Sequence, residues 1–153
     1  MDKQIIQELI DRYVTISFQV HKKAESLVKG QIGDDLTNDQ HYILRYISQS
    51  GECTSSELAD AFEVNKSAIT AIINRMADRG LIQRTRDKND RRVVYLTLTE
   101  AGNTLYQNCQ EKIRFLVESI ITQFEDSEIK NFINTYEKLA QILANKKKEE
   151  LGD

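Results

Sequence analysis

Apolar positions recur along this chain with two rhythms, and the change of rhythm divides it into three parts. From Gln4 to Lys29, the residues Leu9, Tyr13, Ile16, Val20, Ala24 and Leu27 fall three or four apart, with Ile5, Ile6, Ile10 and Val14 widening the stripe at its start. That spacing draws one face of an amphipathic helix, which Gly30 and Gly33 are expected to end. The far end repeats the pattern. Leu105, Cys109, Ile113, Leu116, Ile120 and Phe124 form one helical stripe, and Ile129, Phe132, Ile133, Tyr136, Leu139, Ala140 and Leu143 form the next. Asp126 or Ser127 is expected to cap the helix between them.

The middle is punctuated differently. Thr37 with Gln40 and Thr54 with Glu57 are capping boxes, opening one helix through Ile47 and a short one over SSELADAF. Asn65 can cap a third helix, Lys66 to Arg79, stopped by Gly80. Two strand-like runs follow, Leu81–Arg86 and Arg92–Leu98, joined by the polar turn Asp87-Lys88-Asn89-Asp90. In the second run Val94, Leu96 and Leu98 alternate with Val93, Tyr95 and Thr97, a period of two. Thr99 then caps the next helix. Helix, helix, turn, helix, hairpin is the order of a winged helix-turn-helix, so the expected fold is mainly α (α+β), a winged helix-turn-helix with long N- and C-terminal helices.

The absence of Pro and the small number of Gly among 153 residues permit such long helices. A middle module of about 65 residues is too small to cover both terminal stripes. A second copy of the chain is the simplest partner, which predicts a homodimer. The expected division is a winged helix-turn-helix lobe over 37–102, with 1–36 and 103–153 forming a helical dimerisation region. No apolar run approaches the roughly 20 residues of a membrane span, and MDKQIIQELIDRY lacks a signal-peptide pattern. No membrane partner and a cytoplasmic location are therefore expected.

Charge sharpens the picture once it is mapped. The chain carries a net −3, yet Val64–Leu98 holds eight bases against three acids, +5, which leaves −8 elsewhere. A basic segment in an acidic protein suits one face that meets phosphates. Within ELADAFEVNKSAITAIINRM, Leu58, Ala59 and Phe62 are expected to point inward, Val64 to fill the turn, and Ile69, Ile72, Ile73 and Met76 to form the inner face of the second helix. Subtracting that face leaves Lys66, Ser67, Thr70, Ala71, Asn74 and Arg75 outside. Short polar groups flanked by cations suit base edges and phosphates in a major groove.

With LTNDQHYILRYI, the helix-turn-helix and DKNDRRVVYLTLTEAG in place, the sequence resembles the MarR family of bacterial regulators over nearly its whole length. Its wing signature is met in part by Asp90, Arg91, Arg92, Leu98, Thr99 and Gly102. Two departures stand out: Lys88-Asn89 fills a stretch where many members carry Arg, and Glu63 occupies a turn position where Gly is common. The resemblance implies a recognition helix in the major groove and a wing-tip Arg in the adjacent minor groove. Arg91 is the best match for that role, with Asp90 orienting it and Arg92 bracing the wing or taking a phosphate. The candidate DNA-binding residues are therefore Lys66, Ser67, Thr70, Asn74, Arg75, Arg84, Arg86, Lys88, Asp90, Arg91 and Arg92. The partner is double-stranded DNA carrying a pseudo-palindromic operator, and the implied activity is that of a repressor.

The resemblance also implies a small-molecule effector. Tyr13, Phe18, His21, His41, Tyr42, Tyr46 and Phe115 are candidates to meet one, but each reads first as an ordinary core side chain, so no ligand site is assigned. No cofactor is expected. Thiol sensing is an alternative form of control, weakened because the first helix holds no Cys and because Cys109 sits on an apolar stripe. His41 lacks the clustered partners of a zinc sensor. No phosphate loop, nucleophile elbow or His-metal pair supports an enzyme. A winged helix used only for protein contacts would have no need of eight cations.

Overall fold

A computed structural model describes residues 1–152. The order of elements is α1 (Lys3–Ile32), α2 (Asn38–Ser50), α3 (Ser55–Ala61), α4 (Lys66–Asp78), β1 (Ile82–Arg86), β2 (Val94–Leu98), α5 (Glu100–Ile121) and α6 (Asp126–Glu150). This is the mainly helical fold expected, with one small antiparallel sheet. Local chemistry sets the starts of the middle helices. Both capping boxes form, Thr37 with Gln40 and Thr54 with Glu57, each hydroxyl accepting from the third backbone N–H and each N3 side chain reaching back. The Asn65 side chain accepts from the Ala68 N–H at 2.8 Å, and Thr99 Oγ1 accepts from Gly102 N–H at 3.0 Å.

The chain forms two compact units, Met1–Ile113 and a second that begins at Arg114. The first holds the core. Ile43, Leu44 and Ile47 of α2 meet Leu58 of α3, Ile69, Ile73 and Met76 of α4, and Leu96 of β2, joined by Tyr106 and Cys109 of α5. β1 and β2 pair in register from Ile82 opposite Leu98 to Arg86 opposite Val94. Cys53 adds a short third edge, exchanging backbone hydrogen bonds of 3.2 and 2.7 Å with Leu96. In the second unit α6 has no buried residue, and Phe115, Ile120, Phe132 and Tyr136 are exposed.

Several expectations are corrected. Gly30 does not end α1; the helix runs on to Ile32, and Gly33 closes it at φ +64, donating its N–H to Lys29 O at 2.8 Å. A helical Gly costs about 1 kcal/mol, whereas burying Ile32, 2% exposed, returns about 1.5–3 kcal/mol, so the helix continues. The N-cap of α6 is Glu125, without a side-chain bond, and Asp126 is its first helical residue. Val64 does not fill the turn. It is 43% exposed, because Glu63 takes a left-handed φ of +54 and swings the chain so that Phe62 packs against the core instead. Tyr13, Phe18, His21, Tyr42 and Phe115 are likewise exposed in the single chain, leaving His41 and Tyr46 as the members of that set that join the interior.

His41 is 4% exposed, its ring set between Tyr42 (5.6 Å between centroids) and Tyr106 of α5 (5.8 Å), and its Nε2 has no hydrogen-bond partner among the described residues. Burial, and then the nearby Arg45 cation, hold its pKa below the ordinary 6.5. The folded protein thus keeps its imidazole neutral to lower pH than the unfolded chain, which protonates near 6.5. The contribution to stability is complete above that value and is lost as pH falls below it. Urea midpoints should therefore drop between pH 7.5 and pH 5.5, and His41→Phe should flatten that dependence. An identical slope in the variant would assign the effect to other groups.

Candidate nucleic-acid interface

The helix-turn-helix is built from α3, the turn through Glu63 and α4. Leu58 and Ala59 are buried beneath it, and the turn closes through the Val64 N–H to Ala59 O at 3.1 Å. A small residue at Ala59 lets the two helices approach. Ile69, Ile73 and Met76 form the buried face of α4, with Ile72 half-buried at its margin. The opposite face is the one left by subtraction in the sequence: Lys66, Ser67, Thr70, Ala71, Asn74 and Arg75 are all exposed. Lys66 stands in the first turn, where unpaired backbone N–H groups and the helix dipole favour an anion.

These polar groups are not equally free. Thr70 Oγ1 donates to Lys66 O at 2.8 Å, which leaves the exposed hydroxyl oxygen only as an acceptor. Arg84 of β1 donates from Nη2 to Asn74 Oδ1, tying the wing to α4.

The tip of the wing is an ordered turn. Asp87 Oδ1 accepts from the N–H groups of Asn89 (2.8 Å) and Asp90 (3.0 Å), and the Asp87 N–H reaches Val93 O at 2.9 Å. Those backbone bonds, first from Asp90 and then from Asn89, hold the Asp87 carboxyl below the usual carboxylate range. Asp90 was expected to orient Arg91. It grips Arg92 instead: Arg92 N–H and Nε donate to Asp90 Oδ1 at 3.1 Å, and Nη2 to Oδ2 at 3.2 Å. A guanidinium two residues on can curl back over the turn and meet the carboxylate with both its fork and its backbone, which the adjacent residue cannot do. Arg91 keeps a guanidinium unpaired among the described residues, while its carbonyl accepts from Arg86 Nη1 at 2.9 Å.

The eight bases counted in sequence therefore divide. Arg79 turns away from the recognition face, its Nη2 donating to Asp35 O at 2.6 Å and its Nη1 to Gln40 Oε1 at 3.4 Å, and so fastens the loop between α1 and α2. Arg84, Arg86 and Arg92 are bound within the wing and its junction with α4. Lys66, Arg75, Lys88 and Arg91 are exposed cations without a partner among the described residues. Sequence reasoning missed the bracing roles of Asp87 and Arg79. An Asp at the first position of a polar turn was the available signal for the former; nothing local marks the latter.

Both thiols lie in the core, Cys53 2% and Cys109 1% exposed. Burial, aided by the Glu57 carboxylate, pushes Cys53 up to about 11, and burial followed by Asp35 raises Cys109 as well. Neither is a ready thiolate at neutral pH, which speaks against thiol sensing. Among the described residues no three His, Cys, Asp or Glu side chains converge as metal ligands would, and no helix is long and apolar enough to cross a membrane.

A buried-face recognition helix, its turn, and a basic hairpin with an ordered tip together define a winged helix-turn-helix transcription regulator. Comparison with known proteins carries this further. Residues 36–94 match the MarR family model. The chain is 30% identical over 120 residues to the HTH-type transcriptional regulator YwhA of Bacillus subtilis (strain 168), covering 78% of this chain and 86% of the relative. It is 29% identical over 120 residues to the homoprotocatechuate degradative operon repressor of Escherichia coli, covering 78% and 80% of the two chains. Among solved structures, the transcriptional regulator BldR from Sulfolobus solfataricus superposes with a TM-score of 0.72 at 27% identity, over 95% of this chain and 99% of that one. The chain belongs to the MarR family.

Proposed function

We propose that the protein is a repressor that binds a pseudo-palindromic operator as a homodimer and is released by a small-molecule effector. The observation that carries the DNA reading is the pairing of two free cationic elements on one lobe. α4 presents a short polar stripe between Lys66 and Arg75, and the braced wing presents the unpaired Arg91. The lobe over 37–102 lays α4 in a major groove, where Ser67, Thr70 and Asn74 face bases and Lys66 and Arg75 face phosphates. Arg91 enters the adjacent minor groove, and Lys88 and Arg92 lie along the backbone on either side. Repression follows the relatives, among them the operon repressor of E. coli.

Dimerisation through 1–36 and 103–153 is supported by apolar surface that the single chain leaves uncovered. Leu9, Tyr13, Ile16, Val20 and Leu27 of α1 are 45 to 56% exposed, and Phe132, Tyr136 and Leu143 of α6 are 53 to 56% exposed. Contiguous apolar stripes of that kind mark an interface in a protein that stays in solution. A two-fold dimer then sets its two α4 helices about 34–36 Å apart, one turn of duplex.

Binding to a duplex carrying the operator should weaken with added salt at a slope of about −0.9 per phosphate neutralised. Four free cations per subunit predict a slope steeper than about −4 for the dimer. Sedimentation should give twice the chain mass. A monomer, or a slope near zero, would sink this reading in favour of a protein-contact module.

A further inference from the structure

Three acids lie within the basic segment Val64–Leu98, and two of them are committed inside the wing. Asp87 holds the tip through the N–H groups of Asn89 and Asp90, and Asp90 grips Arg92. Asp78 is the third, and it holds nothing. Its carboxylate is exposed and makes no hydrogen bond or ion pair among the described residues, not even with Arg75 one turn earlier.

That position is unfavourable on two counts. Asp78 is the last residue of α4, where the negative end of the helix dipole disfavours a carboxylate. It also stands on the outer face. Ser67, Ala71, Asn74 and Asp78 are all exposed and follow one another at steps of four, three and four, a single stripe opposite Ile69, Ile73 and Met76. The helix advances about 16 Å from the first of them to the last. With α4 lying in a major groove, this carboxylate approaches a polyanion with no cation bound to it.

An ionised carboxylate only accepts hydrogen bonds. Guanine presents the acceptors N7 and O6 in the major groove and thymine presents O4, so both repel it. Adenine has an amino donor at N6, but its N7 acceptor lies beside that donor. Cytosine presents N4–H2 with no acceptor of its own in that groove, and so meets a carboxylate best. We propose that Asp78 is a specificity-determining residue: it disfavours every duplex on which it faces phosphates or acceptor edges, and is satisfied where the N4 amino group of a cytosine lies beneath it. The partner is thus a duplex with cytosine at one defined position in each half-site, within about five base pairs of the one under Ser67. This rests on the reading of α4 as the recognition helix.

The test is selection from randomised duplexes, followed by anisotropy titrations on the selected site, its single-base variants and an unrelated duplex. Asp78→Ala identifies the base pair, as the position at which discrimination falls by about tenfold while the others keep theirs. In the wild type that base should be cytosine. Asp78→Asn removes the charge at nearly constant shape and can both donate and accept. It should bind the unrelated duplex about fivefold more tightly, each of two subunits losing one repulsion, and should lose the cytosine preference. Its affinity for the selected site should gain less than that, so the ratio between the two duplexes falls.

Any base other than cytosine at the Asp78-dependent position overturns the proposal. So do variants that keep discrimination at every position, or that gain affinity equally on all duplexes, the mark of a carboxylate that only tempers Arg75 and its neighbours. A wild-type protein that binds no duplex at low salt, or selects no sequence, would instead refute the recognition-helix reading itself. Because Asp78 has no partner among the described residues, both variants should melt at or above the wild-type temperature. A lower one would make Asp78 a structural residue and defeat the assignment.

Discussion

Replacing Arg91 with Ala is expected to weaken operator binding by about tenfold to a hundredfold, with the melting curve and the dimer unchanged. The guanidinium has no partner among the described residues, so its removal breaks no bond seen there. The carbonyl that accepts from Arg86 belongs to the backbone and survives the substitution, and the grip of Asp90 on Arg92 keeps the turn in shape. A side chain held free at the end of a braced tip loses little entropy other than its own on entering a narrow groove, where A·T-rich sequence concentrates negative potential. The loss should therefore be larger at sites with an A·T-rich flank than at G·C-rich ones. Fluorescence anisotropy at physiological salt reads the change directly; unaltered affinity would remove Arg91 from the interface.

The largest effect on stability is expected at Gly102. In an ordinary helix interior, Gly→Ala gains up to about 1 kcal/mol. Here the sign reverses. A Cβ on Gly102 would sit 2.0 Å from Leu81 O and 2.9 Å from Leu81 C, both backbone atoms. Leu81 has no room to retreat: it is 5% exposed, its N–H donates to Met76 O at 3.0 Å, and its carbonyl accepts from the Thr99 N–H at 3.1 Å. Gly102→Ala must push the start of α5 away from the junction between α4 and β1, at a cost of about 3 kcal/mol or more. At fixed protein concentration Tm should fall by roughly 6–12 °C. A variant that melts at or above the wild-type temperature would mean that α5 can shift without loss.

Much of the middle of the chain was legible because its signals are local. A threonine followed three residues later by Gln or Glu satisfies orphan N–H groups within one turn, so Thr37 and Thr54 mark their helices whatever surrounds them. The inner face of α4 could be read the same way, since Ile69, Ile73 and Met76 follow the helical period and the polar stripe is their complement. The wing was legible as a hairpin, but its internal bonds were not. Sequence adjacency suggested Asp90 with Arg91, whereas the turn geometry delivers Asp90 to Arg92. Charge counting treated Arg79 as one cation of the DNA face, although it closes on a loop more than forty residues earlier.

From the order of residues alone came the element types, the starts of the middle helices, the exposed stripe on α4, the basic segment and the resemblance to the MarR family, because periodicity and capping act within one or two turns. Only the tertiary structure decided which cations are free, why position 102 is glycine, where the glutamate at 63 sends its neighbours, and which cation of the wing meets Asn74. Those outcomes depend on atoms that are distant along the chain and meet only when α4, β1, β2 and α5 are assembled. A hydrogen bond or a steric contact is settled within a few tenths of an ångström, a precision that spacing along a sequence does not carry.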